Sequence, residues 1–230
     1  MDSIWIPISV FSGSCAITFG SSSLLDKKDV YKRQGYTLID CTSRNDDPVY
    51  RLGLSPFYLS DIPCYDGLIS KNLENAWQYS KVYPDMIDAD GNPTKDYFTW
   101  RDNGFAKSWA DRYPKGKGVI PSYSYWKLSD EYVKLGYIDA RKYIYIPLYA
   151  TAAFKTEGYK RLKNLYLDKD GKIALADFDG YNYLKHGMSM KDVVNDENRK
   201  MGHGFVLAMM LEEYLTLEDD KLVDISGILK

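Results

Sequence analysis

Residues 71–83 read Lys71-Asn72-Leu73-Glu74-Asn75-Ala76-Trp77-Gln78-Tyr79-Ser80-Lys81-Val82-Tyr83. Pro63, Asp66 and Gly67 mark a turn ahead of this stretch and Pro84 closes it, so it is expected to form a helix from about residue 71 to 83. On that helix Glu74, Gln78 and Lys81 fall at i, i+4 and i+7 and line one face, with Leu73, Ala76, Trp77 and Ser80 beside them. A carboxylate, an amide and an ammonium in a row suit activation of water, orientation of a sugar hydroxyl and contact with a phosphate. The plain alternative is a solvated polar helix face.

Working outward, Leu38-Ile39-Asp40-Cys41 reads as a short strand, and residues 88–100 as a turn followed by a helix opened by Pro93 and Thr94. Residues 104–126, with Pro114, Gly116, Gly118 and Pro121, read as an irregular loop long enough to suggest function. A helix is expected over 129–140. Tyr143-Ile144-Tyr145-Ile146 alternates like a strand, but Pro147 can equally kink a helix running on to Leu167, and the helical reading is preferred. Residues 172–176 read as a strand, Ser189-Met190-Lys191-Asp192 as a capping box, and residues 201–215 as an apolar helix. No repeat or linker divides residues 35–230. The expected fold is α+β, a predominantly helical single domain with a few short strands.

The chain has 230 residues, 45% apolar and 27% charged, with 30 Lys and Arg against 32 Asp and Glu for a net charge of −2. That balance excludes a disordered chain and a uniformly basic, nucleic-acid-coating surface. Three cysteines, Cys15, Cys41 and Cys64, lack CxxC spacing and suggest neither a disulfide framework nor a zinc site, which fits a reducing, cytoplasmic setting. With two histidines, His186 and His203, a His-rich metal centre is excluded and hydrolytic chemistry falls on carboxylates. Residues 4–20 are apolar, but no Lys or Arg precedes them and Pro7, Ser12 and Gly13 interrupt them, so neither a signal peptide nor a membrane helix is expected. Asp29-Val30-Tyr31-Lys32-Arg33-Gln34 is the translation of GAT-GTG-TAT-AAG-AGA-CAG, the transposon end used in sequencing libraries. Residues 1–34 are therefore expected to be a non-native or disordered segment, with the native chain beginning near Gly35.

Other clusters could carry chemistry. In the long loop Lys107, Arg112, Lys115 and Lys117 alternate with Trp109, Tyr113, Tyr123, Tyr125 and Trp126, an arrangement suited to a nucleotide's phosphate and base or to a solvated basic loop. Lys115-Gly116-Lys117-Gly118 lacks the Gly-Lys-Ser/Thr ending of a P-loop. Gly202-His203-Gly204 precedes the last helix, where backbone N–H groups can receive a phosphate or glycine can serve close packing. His203 can assist proton transfer or be a hydrogen-bonded structural histidine. Asp88-Ala89-Asp90-Gly91 and Asp168-Lys169-Asp170-Gly171 lack the later ligands of a calcium loop and read as turns. Asp177-Phe178-Asp179 is similar to the Asp-x-Asp of haloacid-dehalogenase phosphatases without the Thr or Val that follows it.

Leu54-Ser55-Pro56-Phe57, then Ile62, Asp66-Gly67 and Glu74 through Lys81, resembles the opening signature of the NADAR family. That signature is a Ser-Asn-Phe element, an isoleucine ahead of an Asp-Gly turn, and a Glu-His-aromatic-aromatic-Gln-x-x-Lys helix, with Pro56 and Asn75 here in place of its Asn and His. Residues 172–181 and 199–210 resemble its far end, so the likeness spans most of residues 50–215. It implies a helix-rich α+β domain, of a divergent and phage-associated branch, that needs no metal or cofactor. Such a domain cleaves the N-glycosidic bond of a small-molecule ribose phosphate, a riboflavin-pathway intermediate or an ADP-ribose conjugate including ADP-ribosylated nucleic acid, with no membrane involved. Glu74 would then carry the catalytic carboxylate, with Asp177 or Asp179 as the second. Ser55, Phe57, Trp77, Gln78 and Lys81 would meet the substrate, joined by Arg112, Lys117 and Trp126 from the loop and by Gly202 and His203. The rival expectation is a non-catalytic ADP-ribose or nucleotide-binding module.

Overall fold

The computed structural model describes residues 9–12 and 31–230. Its first half runs β1 (Ser9–Ser12), β2 (Thr37–Asp40), α1 (Pro48–Leu54), β3 (Ser60–Pro63), β4 (Ile69–Asn72), α2 (Leu73–Tyr79), β5 (Lys81–Val82) and α3 (Lys95–Ala106). β6 (Tyr123–Leu128), β7 (Glu131–Leu135), α4 (Tyr137–Ala140), a π-helical turn (Arg141–Tyr145) and α5 (Ile146–Phe154) follow. The chain then forms α6 (Glu157–Asp168), β8 (Ile173–Asp177), α7 (Met190–Asn195), α8 (His203–Leu211), β9 (Leu215–Glu218) and β10 (Lys221–Asp224). It is a mixed α/β protein of helices and short strands. No helix among the described residues is long and apolar enough to cross a membrane.

By its contacts the chain divides into two compact units, Met1–Ser55 with Ala153–Lys230, and Pro56–Ala152. The first is built on a three-stranded parallel sheet in the order β1-β8-β2. β8 reads Ile-Ala-Leu-Ala-Asp and is buried along its whole length, as expected of a central parallel strand covered on both faces. Within the segment set aside as non-native, Ser9–Ser12 nonetheless pairs with β8, and Tyr31 is 7% exposed with its hydroxyl accepting from Asn182 at 2.8 Å. α1 and α6 approach so closely that a Cβ on Gly158 would lie 2.6 Å from the carbonyl oxygen of Val49. Glycine at 53 and 158 therefore lets the two helix backbones touch, and Thr156 Oγ1 donates to Gly53 O across the contact at 2.9 Å. The Ser189–Asp192 capping box is present in full, with Asp192 N donating to Ser189 Oγ and Ser189 N to Asp192 Oδ2.

The second unit contains the β3–β4 hairpin and an antiparallel sheet β5-β6-β7. Its core gathers Tyr65, Tyr79, Phe105, Trp126, Leu135, Ala140 and Ile144. Several sequence expectations shift here. The helix expected over 71–83 is α2 alone, because Lys71 lies in β4, Asn72 caps the helix by accepting from Asn75 N, and Lys81–Val82 pairs with β6. The helix expected over 129–140 is confined to its end, α4 (Tyr137–Ala140), and is preceded by a turn and β7. Ser129 takes φ 54° in the two-residue turn that folds β7 back on β6, and alternation along Glu131-Tyr132-Val133-Lys134-Leu135 was the signal for a strand. The helical reading of residues 143–146 holds, with Pro147 following a π-helical turn, and the helix stops at Phe154 rather than Leu167. Proline lacks the N–H that an α-helical turn would use, and a π-turn accommodates that loss. The helix expected over 201–215 is α8, and Leu215 opens β9.

Candidate functional site

α2 is a short helix with two working faces. Its start is fixed twice, by the Asn72 cap and by Glu74 N donating to Pro56 O at 3.0 Å. Leu73 and Ala76 are fully buried, and Glu74 sits in the first turn, where the helix dipole favours a negative charge. Gln78 Nε2 donates to Glu74 Oε1 at 2.8 Å and Lys81 Nζ donates to Gln78 Oε1 at 2.7 Å. An ammonium only donates, so Lys81 must meet the amide oxygen of Gln78, which turns the amide nitrogen toward Glu74. The carboxylate thus receives the end of a one-way relay, Lys81 to Gln78 to Glu74. The relay is not a solvated helix face, since Glu74 is 6% and Gln78 8% exposed. Lys81 Nζ also stands 4.6 Å from the centroid of the Trp77 ring, which packs on Tyr145 at 5.2 Å.

The other face of α2 holds a loop. Asn75 Nδ2 donates to Trp109 O at 2.9 Å and Lys107 O at 3.2 Å, and Asn75 Oδ1 accepts from Asp111 N at 2.8 Å. Asn72 Nδ2 adds a bond to Lys107 O at 3.3 Å. Lys107 Nζ meets the Tyr79 hydroxyl at 2.5 Å and Asp111 Oδ2 at 2.9 Å, and that hydroxyl donates to Asp111 Oδ2 at 2.8 Å. Burial works against the charged form of Asp111, but the bonds from Lys107 and Tyr79 prevail and hold its carboxyl below the usual range. Replacement of Asn75 by alanine strands the Trp109 carbonyl and the Asp111 N–H, while Lys107 O keeps its bond from Asn72, and each unmet buried group costs about 1–3 kcal/mol. We expect Asn75→Ala to lose about 2–3 kcal/mol in urea denaturation, together with hydrogen-exchange protection across residues 107–111.

No protein-family model, curated protein or solved structure matches the chain.

The remaining expected site residues fall into different surroundings. Trp126 is 5% exposed and packed edge-on against Tyr65 at 4.8 Å. Its place in β6, between Ser124 and Leu128 on the core side of the sheet, accounts for that burial. Arg112 stands 5.3 Å from the Tyr113 ring, and Lys117 is exposed. Lys115 pairs with Asp85 at 2.6 Å. Phe57 is half-buried, whereas Ser55, in the other unit, is 1% exposed and forms the C-cap of α1.

Asp177, Asp179, Gly202 and His203 belong to the first unit, apart in the chain from the relay. Asp177 is 2% exposed, and its Oδ2 accepts from Gly204 N at 2.8 Å while Oδ1 faces His203 Nδ1 at 3.3 Å. A carbonyl oxygen only accepts, so His203 Nε2 carries the proton it shares with Cys41 O at 2.7 Å. The carboxylate therefore fastens the start of α8 to the end of β8, and it takes the Gly204 N–H that an incoming phosphate would need. A Cβ on Gly202 would lie 1.9 Å from Asp177 Oδ2, so that glycine answers to close approach. Asp179 is half-buried beyond the strand end. Among the described residues, no three His, Cys, Asp or Glu side chains gather as a metal would require.

Sequence reasoning placed Glu74, Gln78 and Lys81 on one face but did not assign Asn75 a task. Its partners lie 32 to 36 residues away, and no local spacing announces such a contact.

Proposed function

We propose that the chain is an N-glycosidase acting on a ribose-phosphate conjugate of a flat nitrogenous base, ADP-ribose-like or riboflavin-intermediate-like, in the cytoplasm, with Glu74 as its catalytic carboxylate. The reading rests on one observation, the Lys81–Gln78–Glu74 relay, in which Gln78 and Glu74 are buried and Lys81 is half-buried. The likeness of residues 54–81 to the NADAR signature supports it. Cleavage breaks the bond between C1 of the ribose and the base nitrogen, the electron pair leaves with the base, and positive charge develops at C1. A carboxylate fixed beside C1 stabilises that charge and takes a proton from the water that adds there. Gln78 orients the carboxylate by donating to one of its oxygens. Lys81 keeps the amide in that sense and brings positive charge toward a phosphate or sugar hydroxyl, while Trp77 offers a wall to the substrate. Asp177 has both oxygens engaged in the fold, so the proposal needs Glu74 and not the later aspartate.

A second reading, a nucleotide-binding module without turnover, draws on the cations over aromatic rings in the long loop, Lys107 with Trp109 and Arg112 with Tyr113. The two separate when wild type and Glu74→Gln are incubated with NAD, ADP-ribose, ADP-ribosylated DNA and riboflavin intermediates, and released base and free ribose phosphate are recorded. Release by wild type alone supports the glycosidase. Binding by both proteins without release supports the module, and neither binding nor release overturns both readings.

A further inference from the structure

Residues 107–111 form a loop whose backbone is held firmly while its tryptophan faces water. Trp109 is 63% exposed, whereas the other described tryptophans, Trp77, Trp100 and Trp126, are half-buried or buried. An indole in water forgoes the favourable burial of a large apolar surface. This one cannot turn inward by shifting its loop, because Asn75 and Asn72 hold the carbonyls of Lys107 and Trp109 and the N–H of Asp111. The ammonium of Lys107, itself locked by Tyr79 and Asp111, stands 5.7 Å from the Trp109 ring centroid. The result is a flat exposed surface on a fixed backbone, with a positive group at its side, fastened to the helix that carries Glu74. Residues 107–121 also hold four cations, of which Lys107 pairs with Asp111 and Lys115 with Asp85, leaving Arg112 and Lys117 beyond those pairs, in a chain whose net charge is −2. Exposed aromatic area beside fixed cations is complementary to a planar heterocycle whose sugar bears phosphate.

We propose that Trp109 is the surface on which the flat base of a ribose-phosphate conjugate stacks when the conjugate binds beside α2. The inference takes its ligand class from the glycosidase reading and adds to it the residue that selects for a base. Stacking of a base on an aromatic side chain is lost with alanine and largely kept by phenylalanine. Its size predicts a loss of affinity of about tenfold to a hundredfold.

The test is equilibrium binding of NAD and of ribose 5-phosphate to full-length wild type, Trp109→Ala and Trp109→Phe, with base release from NAD recorded on the same samples. We expect Trp109→Ala to weaken NAD by tenfold or more, to leave ribose 5-phosphate unchanged, and to melt at the wild-type temperature. Trp109→Phe should restore most of the NAD affinity. An equal loss for both ligands would assign Trp109 to loop shape instead of base stacking and overturn the inference, as would unchanged NAD binding or no NAD binding by wild type. Base release that ignores Trp109 would sink the inference and leave the glycosidase standing. Trp109-dependent NAD binding without any release would do the reverse.

Discussion

Gly104→Ala should cost the protein about 3 kcal/mol or more, at or above the upper end of ordinary overpacking. In the exposed interior of a helix the same change stabilises by up to about 1 kcal/mol, so the sign alone is diagnostic. Gly104 lies in the last turns of α3, and a Cβ there would stand 2.0 Å from Cδ1 and 2.2 Å from Cγ of Tyr79. The ring cannot slide away. Tyr79 is 1% exposed, packs on Trp100 at 4.4 Å, and has its hydroxyl held by Lys107 and Asp111. Urea denaturation should show a lower midpoint with an unchanged slope. Adding Tyr79→Ala to Gly104→Ala should cost less than Tyr79→Ala does alone, with a coupling above about 1 kcal/mol because the two sites touch. Stability of Gly104→Ala equal to or above wild type would mean that α3 and α2 do not approach this closely.

Glu74→Gln should lower the rate of base release by about a hundredfold to ten-thousandfold, the range expected on removing a positioned acid–base group. The amide matches the carboxylate in shape and retains an oxygen that can accept from Gln78, so the helix face keeps its packing. What goes is the negative charge that faces C1 and the base that takes the proton from water. We therefore expect kcat to fall with KM near the wild-type value, and a stability change within about 1 kcal/mol. Steady-state assays alongside thermal melts check both halves. Wild-type turnover in Glu74→Gln would reduce the relay to a structural feature, and a large loss of stability would give the buried carboxylate a task in folding.

Local patterns announced much of this architecture, and long-range pairing hid the rest. The capping box at Ser189, the apolar run that becomes β8, and the helix opened by Thr94 are each written within a few adjacent residues, and each formed as expected. β7 lies inside a stretch expected to be helical, and the strand exists through its pairing with β6. α2 is shorter than its local sequence suggests for the same reason, since Lys81 and Val82 take their conformation from Ser124 and Tyr123. The spacing of Glu74, Gln78 and Lys81 was legible, but their burial was not, because the elements that cover a helix face leave no mark on that face. Trp126 shows the opposite failure. An aromatic residue amid basic neighbours reads as a ligand wall, yet one step along a strand decides between solvent and core.

The order in which the chain leaves the ribosome gives the division into units a temporal meaning. The unit Pro56–Ala152 is continuous, so all of its strands, and all of its helices but the end of α5, exist once Ala152 has been synthesised. The other unit waits for β8, which joins β1 and β2 from the opposite end of the chain. Pairing over so long a span is slow. The helix bearing Glu74 can therefore settle early in biosynthesis, while the parallel sheet cannot close until β8 has been made, and until then its strand edges are open to aggregation.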